Sequence, residues 1–445
     1  MRVSTLAAGF AFAAAASLAS GCSSSPSGCF DGHDVAQLAV ADQPQALMDE
    51  VFDPGPVVNL ADPNYPSGRV VVLRVATVDW PVNPSMTKAY VEQILFGSTS
   101  GQKSIRGYFE ANSWGQFQVS KGAVPGWVNL DAALAGYLLA GGIEGGAQFL
   151  TDILVNAGVD WGALDADRDD TIDVDEAQLV LLIPNGPVPG AYSQFASVRR
   201  VEPGIAGIVP TPAGLFRFPL RPVVTFSVKP GSDPDRATNP IRSLPALAHE
   251  LAHAFFRLPD RYGNNSGYLS GTGAFDMMAS SNTWVHLPMP DKVAIGWITP
   301  KVVRAQLGEC LAFGASEAEP DALILVPADA FAADPLEFWV VEHRAKTFDP
   351  GGYDDGLPSD GLAVWYVSSG QHPADAGHDE LRLVDASSPD QDPDLYANPA
   401  AGALFQPAGA KRWLFGRTGD VVFLTFSRVS KPFLEESGPV MLAEF

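Results

Sequence analysis

The chain has 445 residues, 46% of them hydrophobic and only 18% charged, which sets aside a disordered chain and leaves room for two or three domains. Its 51 acidic and 28 basic side chains give a net charge of -23, and this argues against nucleic acid as a partner, since a phosphate binder needs a basic footprint. With 43 Gly and 37 Pro, turns and short elements are expected rather than long helices.

Met1-Arg2 precedes an apolar, Ala-rich run from Leu6 to Leu18 and then Ala19-Ser20-Gly21-Cys22. This is the pattern of a secretory signal over residues 1–21, too short for a comfortable membrane span. Ala-Ser-Gly-Cys resembles the lipobox of bacterial lipoproteins, in which the Cys is acylated; Leu18 stands four residues before Cys22 rather than the usual three. Lipidation of Cys22 and ordinary secretion are both open, and either places the chain outside the cell or in the cell envelope. Residues 22–68, rich in Ser, Pro, Gly, Asp and Ala, read as a tether or short pro-segment. Of the three cysteines, Cys29 and Cys310 remain either as a disulfide or as two thiols.

A different texture starts at Arg69. The β-branched run Val70 to Val78 predicts a buried strand. Helices are expected over Thr87 to Phe96 and Ser104 to Gly115, and a strand over Gln116 to Ser120. Leu179 to Pro184 reads as another buried strand. Leu244, Leu247, Leu251, Ala254 and Phe255 repeat at three- and four-residue steps and predict a helix over Ile241 to Phe256. Beyond Pro300 the pattern is strands and turns, with Phe338 to Val341 and Leu362 to Val367 the clearest. A soft boundary near residue 300 separates 69–300 from a β-rich region over 301–445.

His249-Glu250-Leu251-Ala252-His253 lies on the predicted helix. Residues four apart share one helical face, so both imidazoles can reach one zinc ion while Glu250 stands beside it as general base. Zinc polarises a carbonyl and brings the pKa of its water from 15.7 to about 7, and Glu250 would carry the proton to the leaving amine. Catalytic zinc takes three protein ligands. The nearest downstream acid is Asp260, after a Leu258-Pro259 step that ends a helix; it is either the third ligand or the cap of a turn.

Asp165, Asp167, Asp169, Thr171, Asp173 and Glu176 stand at positions one, three, five, seven, nine and twelve of a calcium-loop pattern. Position six, normally Gly, is Asp170, which can enter the left-handed region at some cost. A strand follows rather than a helix. The loop is therefore read as a structural calcium site, or else as an exposed acidic loop.

These residues together resemble the immune inhibitor A type of secreted bacterial zinc metallopeptidases. The likeness runs from about Arg69 to Gln406: Ser104 to Phe117, the Asp-rich loop before Ile183, His249 to Tyr262, Phe275-Asp276-Met277-Met278, Ile295-Gly296-Trp297, Glu342-His343-Arg344 and Gly361 to Tyr366. It implies an α+β fold, with a metzincin-like peptidase domain followed by the β-rich region. It implies Asp260 as third zinc ligand, Met278 as the Met-turn under the metal, and endopeptidase activity on proteins. The connection from His253 to Asp260 is one residue longer than the family's and lacks its Gly, and the family's later Trp-His is Trp365-Tyr366 here.

The resulting expectation is a monomeric, secreted or surface-anchored zinc endopeptidase with protein or peptide substrates, touching a membrane only through an N-terminal lipid. The alternatives are a catalytically impaired, metal-stabilised binding protein of the same fold and a zinc hydrolase of a cell-wall polymer. His286 could touch substrate or simply pack.

Overall fold

The computed structural model describes residues 68–98, 102–139, 143–173, 176–183, 199–200, 205–212, 214–218, 223–226, 244–256, 258–261, 272–279, 283–298, 300–304, 310–318, 320, 323–326, 337–346, 352–371, 379–383, 404, 411–415, 422–426, 428–429, 433–435 and 438–444. The signal, the tether up to residue 67, Cys22, Cys29, His33, Tyr262, His372 and His378 lie outside these residues. Among the described residues, no helix is long and apolar enough to cross a membrane.

The first strand, β1, is Arg69–Ala76. Two helices follow: α1, Lys88–Phe96, capped by the Thr87 hydroxyl, and α2, Ile105–Asn112, capped by the Ser104 hydroxyl. Both begin one residue after their predicted start, because a Ser or Thr that caps a helix stays extended while its oxygen accepts a backbone N–H. Short strands β2, Ser120–Ala123, and β3, Trp127–Asn129, precede helices α3, Leu134–Leu139, and α4, Ile143–Asn156. Strand β4 is Gln178–Ile183; β5, Arg199–Arg200, β6, Ile205–Thr211, β7, Gly214–Phe218, and β8, Val223–Phe226, follow. The motif helix, α5, is Leu244–Phe256, and α6 is Met289–Ala294.

The predicted strand over Gln116–Ser120 does not form; β2 starts only at Ser120. The donors there are spent on a turn at the end of α2. Phe117 N–H bonds the Ser113 hydroxyl at 2.9 Å and Gln116 N–H the Ser113 carbonyl at 3.0 Å. Trp114 (φ 50°) and Gly115 (φ 80°) take left-handed backbone to make that reversal. Phe117 and Val119 are nevertheless buried, so the hydrophobic signal marked core rather than strand.

The first sheet has the order β2-β1-β4-β8-β5, with β3 also on β1. Its ladders are parallel except the antiparallel β5–β8 pair. Apolar side chains leave both faces of β1 and β4. Val70, Val72, Val180 and Leu182 pack with the cluster that holds α1, α2 and α5. Val71, Leu73, Leu179 and Leu181 pack with the cluster that holds α4, Trp161 and Phe218. A strand covered on both faces needs an unbroken apolar run, which is what Val70 to Val75 and Leu179 to Ile183 supply but for Arg74.

The second sheet has the order β14-β13-β12-β11-β9, built from β9, Lys301–Arg304, β11, Leu323–Val326, β12, Glu337–Arg344, β13, Gly361–Gln371, and β14, Asp379–Leu383. Strand β10, Cys310–Gly314, pairs with the last strand, Gly438–Glu444. One hydrophobic cluster crosses residue 300: Ile324, Phe338, Val340, Trp365 and Leu383 share it with Leu251, Phe255 and Trp297.

A buried polar seam joins the same parts. Arg344, on β12, donates to both Asp354 oxygens at 2.6 and 2.8 Å and to the Phe275 carbonyl at 3.2 Å. Asp354 in turn accepts the His286 N–H at 2.7 Å. Glu342 accepts the Met289 N–H and the Trp365 indole N–H. From the other side, α2 holds the same segment: Tyr108 donates to the Val285 carbonyl and Asn112 accepts the Leu287 N–H. The segment leading into α6 is thus fixed between α2 and the second sheet.

Candidate metal centre

Helix α5 is positioned by its apolar face. Leu247, Leu251 and Phe255 are buried, and rings from α2 and the turn after it grip its C-terminal end. Phe117 lies 4.9 Å from Phe256 and 5.3 Å from Phe255, and Phe109 lies 5.8 Å from Phe255. Each fully buried Phe contributes about 1.5–3 kcal/mol. This burial carries the helix through Phe256, three residues past His253.

His249 and His253 therefore sit one turn apart with rings almost perpendicular, 86° between planes. Their Nε2 atoms are 3.0 Å apart, and Asp260 Oδ1 lies 3.0 Å from each. The connection after His253 brings Asp260 to the histidine pair. Both rings have their tautomer set from behind: His249 Nδ1–H donates to the Met277 carbonyl at 3.0 Å, and His253 Nδ1–H donates to the Leu258 carbonyl. Holding hydrogen on Nδ1 turns each Nε2 lone pair toward the shared point.

Electrostatics knit the trio together. Burial lowers the His249 pKa, but in the charged ring the hydrogen bonds that Asp260 and the Met277 carbonyl would accept, with the charges of Glu250 and Asp260, raise it overall. Burial would raise Asp260, yet the two histidines hold it well below the usual carboxylate range. The histidines are buried, whereas the Asp260 side chain is 45% exposed, so the trio opens to solvent on the carboxylate side. Glu250, between the histidines in sequence, is half-buried.

The three donor atoms fit a zinc ion: edges of 3.0 Å stand close to the ~3.3 Å edge of a tetrahedron with 2.0–2.1 Å bonds. Two imidazoles and a carboxylate are a donor set that suits zinc. Met278 is fully buried; its N–H donates to Asp276 Oδ1 at 2.8 Å and its carbonyl accepts the Arg261 N–H at 2.9 Å.

The acidic loop forms a second group. Oxygens of Asp165, Asp167 and Asp169 lie within 4.8 Å of one another. Asp165 accepts the N–H groups of Arg168, Asp169 and Asp170, and Asp169 accepts that of Thr171. Asp170 has φ 59°, the left-handed backbone that position six demands, and Arg168 has φ 64°. Thr171 and Asp173 follow in the loop, and Thr171 bridges to Arg217 on β7. Glu176 turns one oxygen onto the Ala166 and Asp167 N–H groups; the other is buried with no hydrogen-bond partner among the described residues. Burial pushes the Glu176 carboxyl up despite those bonds. The structure brings Asp165, Asp167 and Asp169 into one group and leaves Thr171, Asp173 and Glu176 outside it; three converging carboxylates are oxygen ligands of the kind a hard divalent cation such as calcium takes.

His286 is buried and accepts from Lys292 at 3.3 Å. His343 is buried on β12. The groups that the sequence reading missed are Arg261, Asp276, Asp291 and the Met277 and Leu258 carbonyls. A signal for one was present: Asp291-Lys292 interrupts an otherwise apolar stretch from Leu287 to Trp297.

Compared with known proteins, the chain matches no family model and no curated protein.

Proposed function

We propose that the protein is a zinc-dependent endopeptidase, secreted or held at the cell surface, that hydrolyses protein substrates. The observation that carries this reading is the convergence of His249, His253 and Asp260 at 3.0 Å separations beside Glu250 on the same helix. The ordered landmarks shared with immune inhibitor A-type peptidases support it. His249, His253 and Asp260 would hold the zinc, which when bound polarises a substrate carbonyl and acidifies water. Glu250 accepts the proton of the attacking water at its carboxylate and delivers it to the leaving amine. The carbonyls of Met277 and Leu258 keep both imidazoles in one tautomer through the cycle. Calcium at Asp165, Asp167, Asp169, Thr171, Asp173 and Glu176 would be structural.

Purified protein should cleave casein or gelatin and lose that activity to a chelator. Glu250→Ala should lose it with zinc retained. Wild-type protein that holds stoichiometric zinc yet cleaves neither substrate would sink the reading.

A further inference from the structure

Asp260 is the most exposed of the three ligand candidates and lies outside any helix or strand. Its neighbour, Arg261, reaches a different set of partners. The Arg261 guanidinium donates to Asp291 Oδ1 at 2.5 Å and Oδ2 at 2.6 Å, and to Asp276 Oδ2 at 3.2 Å. Both carboxylates are fully buried. The Arg261 backbone N–H donates to the Met278 carbonyl at 2.9 Å, while the preceding carbonyl, that of Met277, accepts from His249. One two-residue stretch of backbone therefore registers both a ligand histidine and the residue beside the ligand carboxylate.

A buried ion pair is a poor device for stability alone, because desolvation of its charges offsets most of the attraction and apolar packing does as well or better. It is a good device for direction: a guanidinium fork gripping a carboxylate at two points fixes position and angle. Consecutive Cα atoms are only 3.8 Å apart, so fixing Arg261 fixes Asp260. We infer that Arg261, clamped by Asp276 and Asp291, is a positioning residue that holds Asp260 against His249 and His253 and so preorganises the metal site. This rests on the zinc reading above. The clamp, rather than the number of residues after His253 alone, sets where the chain returns.

The test is zinc affinity of the full chain, by competition with a chromophoric chelator, for wild type, Arg261→Met, Asp260→Ala and the double variant. Arg261→Met should weaken zinc about 10–100-fold, the usual effect of losing an outer-shell group. In the Asp260→Ala background the same change should add less than about threefold, because coupled residues are non-additive. The cobalt-substituted Arg261→Met protein should shift its visible spectrum toward that of Asp260→Ala, and Arg261→Lys should recover part of the affinity. Unchanged affinity in Arg261→Met, or an equal loss in both backgrounds, overturns the inference and leaves the zinc site standing. If Arg261→Met fails to fold, Arg261→Met/Asp276→Asn/Asp291→Asn removes the buried charges together; wild-type affinity there overturns it equally. A wild-type chain that takes up no zinc removes the proposed function and this inference with it.

Discussion

The Arg261 guanidinium and the Asp291 carboxylate face each other through two hydrogen bonds, 2.5 and 2.6 Å long. Burial works against the Arg261 charge, but Asp291 and then Asp276 more than compensate, so it stays protonated. Asp291 lies in the first turn of α6, where the helix dipole also favours its charge. Neutralising it with Asp291→Asn leaves a buried guanidinium with half of its counter-charge. Because Asp276 still counters the guanidinium, the metal-free protein should lose about 1–3 kcal/mol of stability, the cost of donors left poorly bonded in the interior. Urea unfolding of metal-free protein measures it, and a loss below about 1 kcal/mol would show the pair to be incidental.

His286 makes acid stability a second test. It sits among Lys292, Asp354, Arg344 and the edge of Tyr108. Burial, aided by Lys292 and Arg344 against Asp354, lowers its pKa from 6.5 to about 3. A depressed histidine is neutral when folded, so its contribution is complete above pH 6.5. It is lost as pH falls toward 3, where only the unfolded chain takes the proton, at up to about 1.4 kcal/mol per pH unit. His286→Asn keeps an acceptor for Lys292 but does not titrate. Its stability should fall less steeply than wild type between pH 6.5 and 4 in urea titrations; parallel slopes would contradict the assignment.

Calcium should stabilise the chain through the Asp165–Glu176 loop, with Tm rising as free calcium rises. Glu176→Gln removes the buried charge but keeps an oxygen for the Ala166 N–H. The calcium-dependent part of Tm should shrink by at least half, while Tm in chelator stays near wild type. Equal calcium responses would take Glu176 out of the ligand set, and no response in wild type would leave the loop a purely hydrogen-bonded role.

Gly356 tests the seam between the two sheets. Its N–H donates to the Trp284 carbonyl at 3.0 Å, and a Cβ placed there would stand 2.5 Å from that carbonyl and 2.8 Å from Thr283 Cβ. Gly356→Ala should push the Asp354 turn from His286 and cost about 1–3 kcal/mol, as overpacking does. Thermal unfolding reads this directly, and a variant as stable as wild type would show the turn to be free to shift.

How much of this was legible beforehand varies by residue. Val70 to Val75 and Leu179 to Ile183 announced buried strands because strands covered on both faces must be apolar nearly throughout. Leu244 to Phe256 announced a helix, and the four-residue spacing of His249 and His253 fixed their shared face before any tertiary contact formed. The demand for left-handed backbone at Asp170 could also be read from its loop position, and the structure places it at φ 59°. Gln116 to Ser120 misled, since burial of Phe117 and Val119 looks the same in sequence whether the backbone is in a ladder or in a turn.

Local chemistry written in one stretch of chain was thus settled by the sequence: helix period, the histidine pair and the acidic loop. The return of Asp260 was not. It depends on α6 presenting Asp291 to Arg261, on Asp276 joining them, and on Glu342 and Arg344 of the second sheet fixing the segment before α6. These partners stand 15 to more than 80 residues away, and spacing along a chain carries no information about which distant carboxylate a guanidinium will meet. Only packing of the two sheets around one core decided that meeting, and with it the third corner of the candidate metal site.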